Sequence, residues 1–215
     1  MILIKTLGRV LKFLEIIIET LLRYVPYFDF IKGTKGTQNP IKFSDWFFQI
    51  LKKDTRYIYW PVHKSSEVSN YKKIIIGVDT SPGFMPGCSL NGYNGIQIGN
   101  YTQIASNVGI QSANHNLFDL RKYVDAEPII IGDYCWIGMN TIILPEVELG
   151  DFTIVGAGSV VTKSFQEGYC VIAGNPAKKI RTLDPTNCIR HKEKREFIGF
   201  IPKEKFEKYK KKYLK

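Results

Sequence analysis

Aliphatic residues recur at every sixth position through the second half of the chain. The unbroken series is Ile131, Ile137, Ile143, Leu149, Val155 and Val161, an earlier one is Ile98, Ile104 and Ile110, and Val68 and Ile74 indicate a degenerate first turn. A six-residue period does not match a helix, but at ~3.3 Å per residue it makes one short strand and a corner. Three such sides would close a turn of about 18 residues, with the aliphatic side chains inside and parallel backbone hydrogen bonds between turns. Glycine often follows the aliphatic position, and glycine and asparagine suit tight corners.

The six-residue pattern is interrupted between Ile110 and Ile131. The stretch 116–128 contains no hexad, so we predict a loop that leaves the coil there. His115 stands at the root of this loop. Loops that leave one side of a repeat structure often carry the binding function. The loop and its histidine are therefore the first candidate site.

A helical pattern occupies residues 1–25. Its apolar positions step by three or four residues: Leu3, Leu7, Val10, Leu14, Ile17 and Leu21. Charged residues interrupt it too often for a membrane-spanning helix of ~20 residues or for a signal peptide. Three interpretations stay open: packing on the protein's own core or on a partner subunit, binding in the plane of a membrane surface, and a short coiled coil. The membrane interpretation is supported by Lys5, Arg9, Lys12 and Arg23 and by the aromatic run Trp46, Phe47 and Phe48.

Charge is distributed unevenly around a formal net charge of +10. Residues 1–73 hold 13 basic and 6 acidic side chains, 74–188 hold 6 and 10, and 189–215 hold 11 and 4. A nucleic-acid-binding core would carry its positive charge in the folded middle, so we expect no nucleic-acid partner. The tail segment 202–215 places Phe206, Tyr209 and Tyr213 at helical spacing and predicts a C-terminal helix.

Cysteine and histidine spacing argues against a metal site. The four cysteines, at positions 88, 135, 170 and 188, form no CxxC pair, and the three histidines, His63, His115 and His191, lack the spacing of zinc ligands. Four cysteines in 215 residues are also too few for a disulfide-stabilised secreted domain. We therefore expect reduced thiols, no metal and a cytoplasmic protein.

The hexads IGDYCW, IGMNTI, LGDFTI and VGAGSV resemble those of the hexapeptide-repeat acyltransferases. The resemblance covers residues 68–183 and implies a mainly β fold, a left-handed parallel β-helix with an excursion loop at 116–128. An N-terminal helical extension (1–67) would precede it, and a basic C-terminal helical tail (184–215) would follow. The resemblance also implies a homotrimer with sites at the subunit junctions. The family contains acetyltransferases, zinc carbonic anhydrases and non-catalytic scaffolds, so the fold alone does not settle the function.

In the sugar and antibiotic acetyltransferases that the chain resembles, a histidine directly before the excursion loop is the general base. His115, in SANHN, matches it. The resemblance implies that it removes the proton of an acceptor hydroxyl as that hydroxyl attacks a thioester. The same match makes the amide of Met139, in WIGMN, the donor to the resulting oxyanion. The alternative for His115 is a histidine that caps a turn and bonds to the backbone.

The segment VGAGSVVTKSFQEGYCVIAGNPAKKIR, residues 155–181, resembles the coenzyme A site of the family. The match implies that acetyl-CoA contacts Trp136, Ala157, Lys163, Gly174, Lys178 and Arg181. Small residues leave room for a narrow pantetheine arm, and basic residues suit phosphates; Lys179 could substitute in that role. The alternatives are an external packing role for Trp136 and ordinary solvent-exposed lysines.

The acceptor side matches the family least well. Its candidates are Asn91, Asn94 and Asp119. Either Asp119 or Glu127, both on the loop, could orient His115 or hold a sugar hydroxyl. Together these features predict an acetyl-CoA-dependent O-acetyltransferase that acts by direct attack on a sugar hydroxyl, of a surface polysaccharide or its precursor. Peripheral membrane contact through 1–25 accompanies this prediction. The alternatives are N-acetylation of an amino sugar and a non-catalytic β-helix scaffold.

Overall fold

A computed structural model describes residues 13–14, 16–18, 20–22 and 24–214. Among these residues, the α-helices with defined ends are α1 (Asp29–Gly33), α2 (Phe43–Leu51) and α3 (Lys203–Tyr213). The strands are β1 (Glu67–Ser69), β2 (Ile74–Ile76), β3 (Ser89–Asn91), β4 (Ile96–Ile98), β5 (Gln103–Ile104), β6 (Gly109–Gln111), β7 (Ile129–Ile131), β8 (Trp136–Ile137), β9 (Ile142–Ile143), β10 (Glu148–Leu149), β11 (Thr153–Val155), β12 (Val160–Val161), β13 (Cys170–Gly174), β14 (Ala177–Thr182), β15 (Phe197–Ile198) and β16 (Ile201–Pro202).

The strands form the three sides of a parallel β-helix. Sheet A has the order β1-β3-β6-β9-β12, sheet B the order β10-β7-β4-β2, and sheet C the order β14-β13-β11-β8-β5. Only β14 runs antiparallel to its neighbour in these three sheets. The chain passes from sheet A to B to C and back, and we name the three edges corner AB, corner BC and corner CA.

The inward aliphatic positions are the core of this coil. All nine predicted hexad positions are buried, with at most 8% of each residue exposed. Equivalent positions also stack: Ile98 pairs with Ile131, and Ile110 pairs with Ile143. The predicted six-residue period and the predicted inward orientation of the aliphatic side chains are therefore both confirmed. The degenerate first turn is present too, because Val68 pairs with Leu90 of the next turn.

Glycines that follow the aliphatic positions stack where corner BC begins. A Cβ added to Gly99 would lie 2.6 Å from the carbonyl carbon of Gly132, and one added to Gly132 would lie 2.8 Å from that of Gly150. Backbone atoms of a neighbouring turn cannot move aside as a side chain can. Glycine is needed here for close approach between turns, in addition to the flexible corner that the sequence suggested.

Corner BC continues with residues whose backbone is left-handed; the first is Asp79, and the next four are aromatic. They are Tyr101, Tyr134, Phe152 and Tyr169, with φ between 45° and 56°. Bulky residues rarely adopt this conformation, which costs roughly 1–2 kcal/mol per residue. Their rings stack in sequence with centroids 5.2, 4.9 and 5.2 Å apart, and each pair contributes about 0.5–1.5 kcal/mol. Stacking thus offsets much of the backbone cost. The expected asparagines and glycine occur at corner CA, in Asn107, Asn140 and Gly158.

The chain after the β-helix returns along corner BC as an extended strap, residues 184–202. Its Arg190 guanidinium lies 5.1 Å from the Phe152 ring centroid and donates to Asp151 over 2.5 Å. The Tyr134 hydroxyl donates to the carbonyl of His191 over 2.6 Å. The aromatic stack therefore fixes the path of the strap.

The C-terminal helix is shorter than the helical tail predicted over 184–215. Helix α3 covers only Lys203–Tyr213 and begins directly after Pro202, the end of the β15–β16 hairpin. The strap before it is extended because its side chains are bound to corner BC. Phe206 is buried and contacts the Tyr59 ring, with centroids 5.5 Å apart, so α3 packs on its own chain.

Within the N-terminal extension, Gln49 ties α2 to the segment 58–62 that leads into the first turn of the β-helix. Its buried Nε2 donates to the carbonyls of Ile58 and Trp60, over 3.1 and 3.0 Å, and its Oε1 accepts from the amide of Val62 over 2.8 Å. Residues 13–14, 16–18 and 20–22 are helical. The remaining positions of the predicted amphipathic helix, among them Leu3, Leu7 and Val10, lie outside the described residues. Within the described part of the chain, no helix has the length and apolar character needed to cross a bilayer.

Candidate functional site

His115 lies exposed at the root of the excursion loop, with its imidazole held in one orientation. Its Nδ1 is 2.7 Å from the carbonyl oxygen of Leu120. A carbonyl can only accept, so Nδ1 carries the hydrogen and the neutral ring presents its lone pair at Nε2. The ring of Tyr123 packs on it, with centroids 4.5 Å apart at 30°. A backbone hydrogen bond of 2.8 Å, from Asn116 to Lys122, closes the loop beside it.

The loop is tied to the β-helix at both of its ends by one side chain. Asn94 Nδ2 donates to the carbonyls of Ser112 and Val124, over 2.8 and 3.0 Å. The Ser112 hydroxyl in turn donates to the carbonyl of Asn91 over 2.8 Å. The two asparagines predicted for acceptor binding thus lie at the base of the His115 loop, where the Asn94 amide holds the loop in place.

Asp119 is paired within the loop. Its carboxylate accepts from Arg121 Nε over 2.9 Å and lies 3.6 Å from Lys122 Nζ. The hydrogen bonds from Arg121 lower the pKa of Asp119 below its usual range, so the carboxylate is charged at neutral pH. The orienting acceptor of His115 is the Leu120 carbonyl, a role that the sequence had suggested for an acidic side chain.

The residues predicted for the oxyanion and the donor lie on sheet C and corner CA. Trp136, on β8, is 55% exposed on the outer face of sheet C. Met139 follows it in corner CA, and its carbonyl accepts from the amide of Gly158 over 2.8 Å. No group of the described residues accepts a hydrogen bond from the Met139 N–H. That N–H is therefore available to a bound oxyanion.

Open surface surrounds two glycines on this side of the molecule. Gly158 and Gly174 have φ of 70° and 104°. A Cβ on Gly158 would meet nothing within 4 Å, and one on Gly174 would meet only a carbonyl oxygen at 3.4 Å. Ala157, beside Gly158, is exposed, as are Lys178 and Arg181 on β14. A narrow ligand with negative charges at one end fits this combination of small residues and free cations.

Lys163 lies apart from the other predicted basic residues. It follows β12 of sheet A, so it sits at corner AB, and its Nζ lies 5.7 Å from the centroid of the Phe165 ring. Lys179, the suggested substitute, is paired with Glu167 over 3.3 Å. Lys178 and Arg181 are the basic residues that accompany Gly174.

The predicted site residues form two groups at different corners of the prism. Near corner AB lie His115, Asn91, Asn94, Asp119 and Lys163, and near sheet C and corner CA lie Trp136, Met139, Ala157, Gly174, Lys178 and Arg181. The first group includes the exposed imidazole of His115, and the second includes the open surface at Gly174 and the basic side chains of β14. One chain therefore brings the members of each group together but leaves the two groups on separate edges.

Buried thiols supply no nucleophile to either group. Burial raises the pKa of Cys135 to about 12 and also raises the pKa values of Cys88 and Cys170. Such thiols are neutral and inert near pH 7. Over the described residues, no three His, Cys, Asp or Glu side chains gather as a possible metal site.

The repeat region matches a known family. Residues 128–163 match the family model described as bacterial transferase hexapeptide (six repeats). Over these residues the β-helix is similar to the hexapeptide-repeat transferases. This hexapeptide β-helix is 38% identical over 92 residues to galactoside O-acetyltransferase of Escherichia coli K12, covering 41% of the chain and 44% of that protein. It is 36% identical over 86 residues to the putative colanic acid biosynthesis acetyltransferase WcaF of the same strain, covering 40% and 47%.

A solved structure extends the likeness. Galactoside acetyltransferase in complex with coenzyme A superposes with a TM-score of 0.54 at 28% identity, over 66% of this chain and 70% of that chain. The sequence matches are shorter: the chain spans less than half the length of the curated relatives named above. The likeness is therefore one of the hexapeptide β-helix and its neighbouring turns.

Sequence reasoning missed three features of the site. The Leu120 carbonyl and the Tyr123 ring orient His115 only because of the way the loop folds. No sequence motif predicts either contact. The anchoring role of Asn94 was missed because its partners are backbone carbonyls. One local signal was available: the Asn116 side chain accepts from the amides of Phe118 and Asp119, an Asx turn that is typical of asparagine.

Proposed function

We propose that the chain is an acetyl-CoA-dependent O-acetyltransferase in which His115 is the general base. The observation that carries the proposal is the hydrogen bond from His115 Nδ1 to the Leu120 carbonyl. It keeps the basic Nε2 lone pair on the exposed side of the ring, where an acceptor hydroxyl can reach it. An alcohol is far too weak an acid to ionise at neutral pH, so its attack on a thioester needs such a base.

The residues divide the reaction between them. His115 Nε2 takes the hydroxyl proton as the hydroxyl oxygen bonds to the acetyl carbonyl carbon. The Met139 N–H donates to the negative charge that develops on the carbonyl oxygen. The C–S bond then breaks, and His115 returns the proton to the departing thiolate. Direct attack is supported by the raised pKa of Cys135, which removes the nearby thiol as a covalent nucleophile.

The donor would lie along corner CA and sheet C. Gly158 and Gly174 leave open surface against the backbone there, and Lys178 and Arg181 are free to bind phosphates. The relative solved with coenzyme A supports the same donor. The proposal includes the left-handed winding that the resemblance implies.

The separation of the two residue groups supports a trimer. A site with both base and donor forms if corner AB of one copy faces corner CA of the next. Among the described residues, the copy's own strap runs along corner BC and its own α3 lies beside sheet B, so corners AB and CA are the edges open to a neighbouring copy. We propose a homotrimer with three such junctions.

The acceptor is proposed to be a sugar hydroxyl of a surface polysaccharide or its precursor. The support comes from the relatives, one named for galactoside and one for colanic acid biosynthesis. Treatment of the product with mild alkali distinguishes O-acetylation from N-acetylation of an amino sugar, because mild alkali removes an acetyl ester and leaves an amide.

Calorimetric titration of the purified protein with acetyl-CoA tests the donor half of the proposal. We expect one equivalent per chain, with a Kd raised roughly tenfold in Lys178→Ala or Arg181→Ala, the loss of one charge-assisted contact of about 1.5 kcal/mol. Lys194→Ala, on the strap, is the matched control and should bind like the parent. A folded protein without detectable binding at millimolar acetyl-CoA would contradict the proposal and favour a scaffold.

A further inference from the structure

Large apolar side chains are exposed together at the N-terminal end of the molecule. In the helical residues 13–14, 16–18 and 20–22 the exposed ones are Phe13, Leu14, Ile16, Ile17, Ile18 and Leu21, and on α2 and around it they are Tyr27, Phe47, Phe48, Leu51 and Tyr57. Leu21 and Phe48 are 66% and 68% exposed. Scattered apolar residues need no explanation, but a contiguous group of this size marks an interaction surface.

Ring contacts join the two parts into one surface, which we call the apolar patch. Phe28 packs on Trp46 with centroids 4.9 Å apart, and Tyr27 packs on the same ring at 5.8 Å. Phe43 then connects to Phe47 at 5.6 Å. Leu22, the last of the described helical residues, packs on the same cluster as Phe28 and Trp46, so both segments meet at one aromatic cluster.

The apolar patch is bordered by positive charge. A cavity of about 390 Å³ lies between it and α3, lined by Tyr27 and Trp46 on one side, by Lys205 and Tyr209 on the other, and by Arg56. Positions 205, 208 and 212 of α3 share one helix face, and all three are exposed lysines. Residues 24–57, which carry the aromatic cluster, hold six basic and three acidic side chains.

We propose that the apolar patch and the lysine face of α3 dock the protein onto an anionic lipid bilayer, in the plane of the interface. Exposed aromatic and aliphatic side chains enter the boundary between headgroups and acyl chains, and neighbouring lysines attract anionic headgroups. Apolar area and positive charge on one side are the two signals that stable interfacial binding requires. A second protein copy would explain the apolar part alone and would gain nothing from the lysines.

Membrane docking does not depend on the proposed acetyl transfer, but it would determine which acceptors the enzyme meets. A transferase held at a membrane would meet acceptors that are anchored there, such as a lipid-linked glycan. Lipid binding can be measured without acetyl-CoA or acceptor, so its failure and a failure of the transferase proposal are distinguishable.

Co-sedimentation of the full chain with vesicles tests the proposal. The probes are phosphatidylcholine vesicles and vesicles with three parts phosphatidylcholine to one part phosphatidylglycerol. We expect binding to the anionic vesicles, at least tenfold weaker binding in 0.5 M salt, and weak binding to the neutral ones. The double variant Phe48→Ser/Leu51→Ser and the charge variant Lys205→Glu/Lys208→Glu should each lose tenfold or more.

Matched controls separate docking from damage to the fold. Ile189→Ser and Lys194→Glu change an exposed apolar side chain and an exposed lysine on the strap, and both should sediment like the parent. No sedimentation with anionic vesicles, or equal sedimentation of the patch variants, would overturn the proposal. So would a patch variant that changes the oligomeric state in light scattering, because that result assigns the apolar patch to another copy.

Discussion

The imidazole of His115 donates from Nδ1 to the backbone carbonyl of Leu120, 2.7 Å away and five residues further along the same loop. The excursion loop therefore orients its own histidine. A backbone acceptor cannot titrate, so the orientation does not depend on the ionisation of an acidic partner. The five-residue separation makes the conformation of the loop tip a condition for the proposed chemistry.

The Tyr123 ring is expected to hold the His115 imidazole in position by packing against it. The Tyr123 ring lies 4.5 Å from the His115 ring and 4.7 Å from that of Tyr93, so it is held between them. Tyr123→Ala should lower kcat by about tenfold, because misplacement of a catalytic group is costly. Tyr123→Phe keeps the stacking and should restore the rate. Steady-state kinetics at saturating acetyl-CoA measure both, and an equal loss in the two variants would assign the effect to the hydroxyl.

Asn94 is expected to keep the excursion loop closed. Removing its two hydrogen bonds in Asn94→Ala frees the connection from Ser112 to Val124. Trypsin should then cut after Arg121 or Lys122 several-fold faster than in the parent, while the melting temperature changes little because the loop lies outside the core. Asn187→Ala, in the strap, is the control. Unchanged cleavage would mean that backbone bonds alone hold the loop.

Close approach between turns makes glycine essential at Gly132. Gly132→Ala would place a Cβ 2.6 Å from the backbone nitrogen of Asp151, and we expect a loss of about 3 kcal/mol or more in the free energy of unfolding. Gly109→Ala is the matched control, since its Cβ would meet the flexible end of Ile142 at 2.7 Å. That change should cost less than about 1 kcal/mol. Urea unfolding at one protein concentration compares the two, and equal losses would contradict the account.

Buried thiols predict slow labelling and alkaline instability. With the pKa of Cys135 raised to about 12, roughly one thiol in ten thousand is ionised at pH 8, and alkylation should await unfolding. In the unfolded chain the pKa falls to ~8.5. The unfolded state then loses its proton first, so stability should decrease as the pH rises from ~8.5 toward 12. Mass spectrometry of iodoacetamide-treated native protein checks this, and rapid labelling of Cys135 would contradict its burial.

The sequence predicted the parts of the fold that a period encodes. Ile137 and Ile143 are inside because a six-residue repeat returns each to the axis. The aromatic stack at corner BC was not predictable in the same way, because Tyr134 and Phe152 adopt a backbone conformation that their residue types disfavour. This backbone conformation is stabilised only by ring contacts between neighbouring turns. Those contacts exist only in the folded coil, so the local sequence does not reveal them.

The candidate site was also predictable from the sequence only in part. The prediction of His115 as a base rests on its position before the loop, which resembles a family motif. Its orientation by Leu120 depends on a backbone atom, which has no signature in the side chains. Likewise, the strap could not be predicted from 184–202, because an extended segment that follows a ring stack has no period of its own.

Comparison of the parent with His115→Ala tests the central claim most directly. Acetyl transfer to a galactoside is followed in both proteins, and acetyl-CoA binding is measured by calorimetry on the same samples. We expect a loss of kcat of about 10²–10⁴-fold, the contribution of general-base catalysis, with the Kd for acetyl-CoA unchanged. His63→Ala, which removes a half-buried histidine bonded to Ser65, should retain full activity. An active His115→Ala variant that transfers acetyl groups at the rate of the parent would contradict the account.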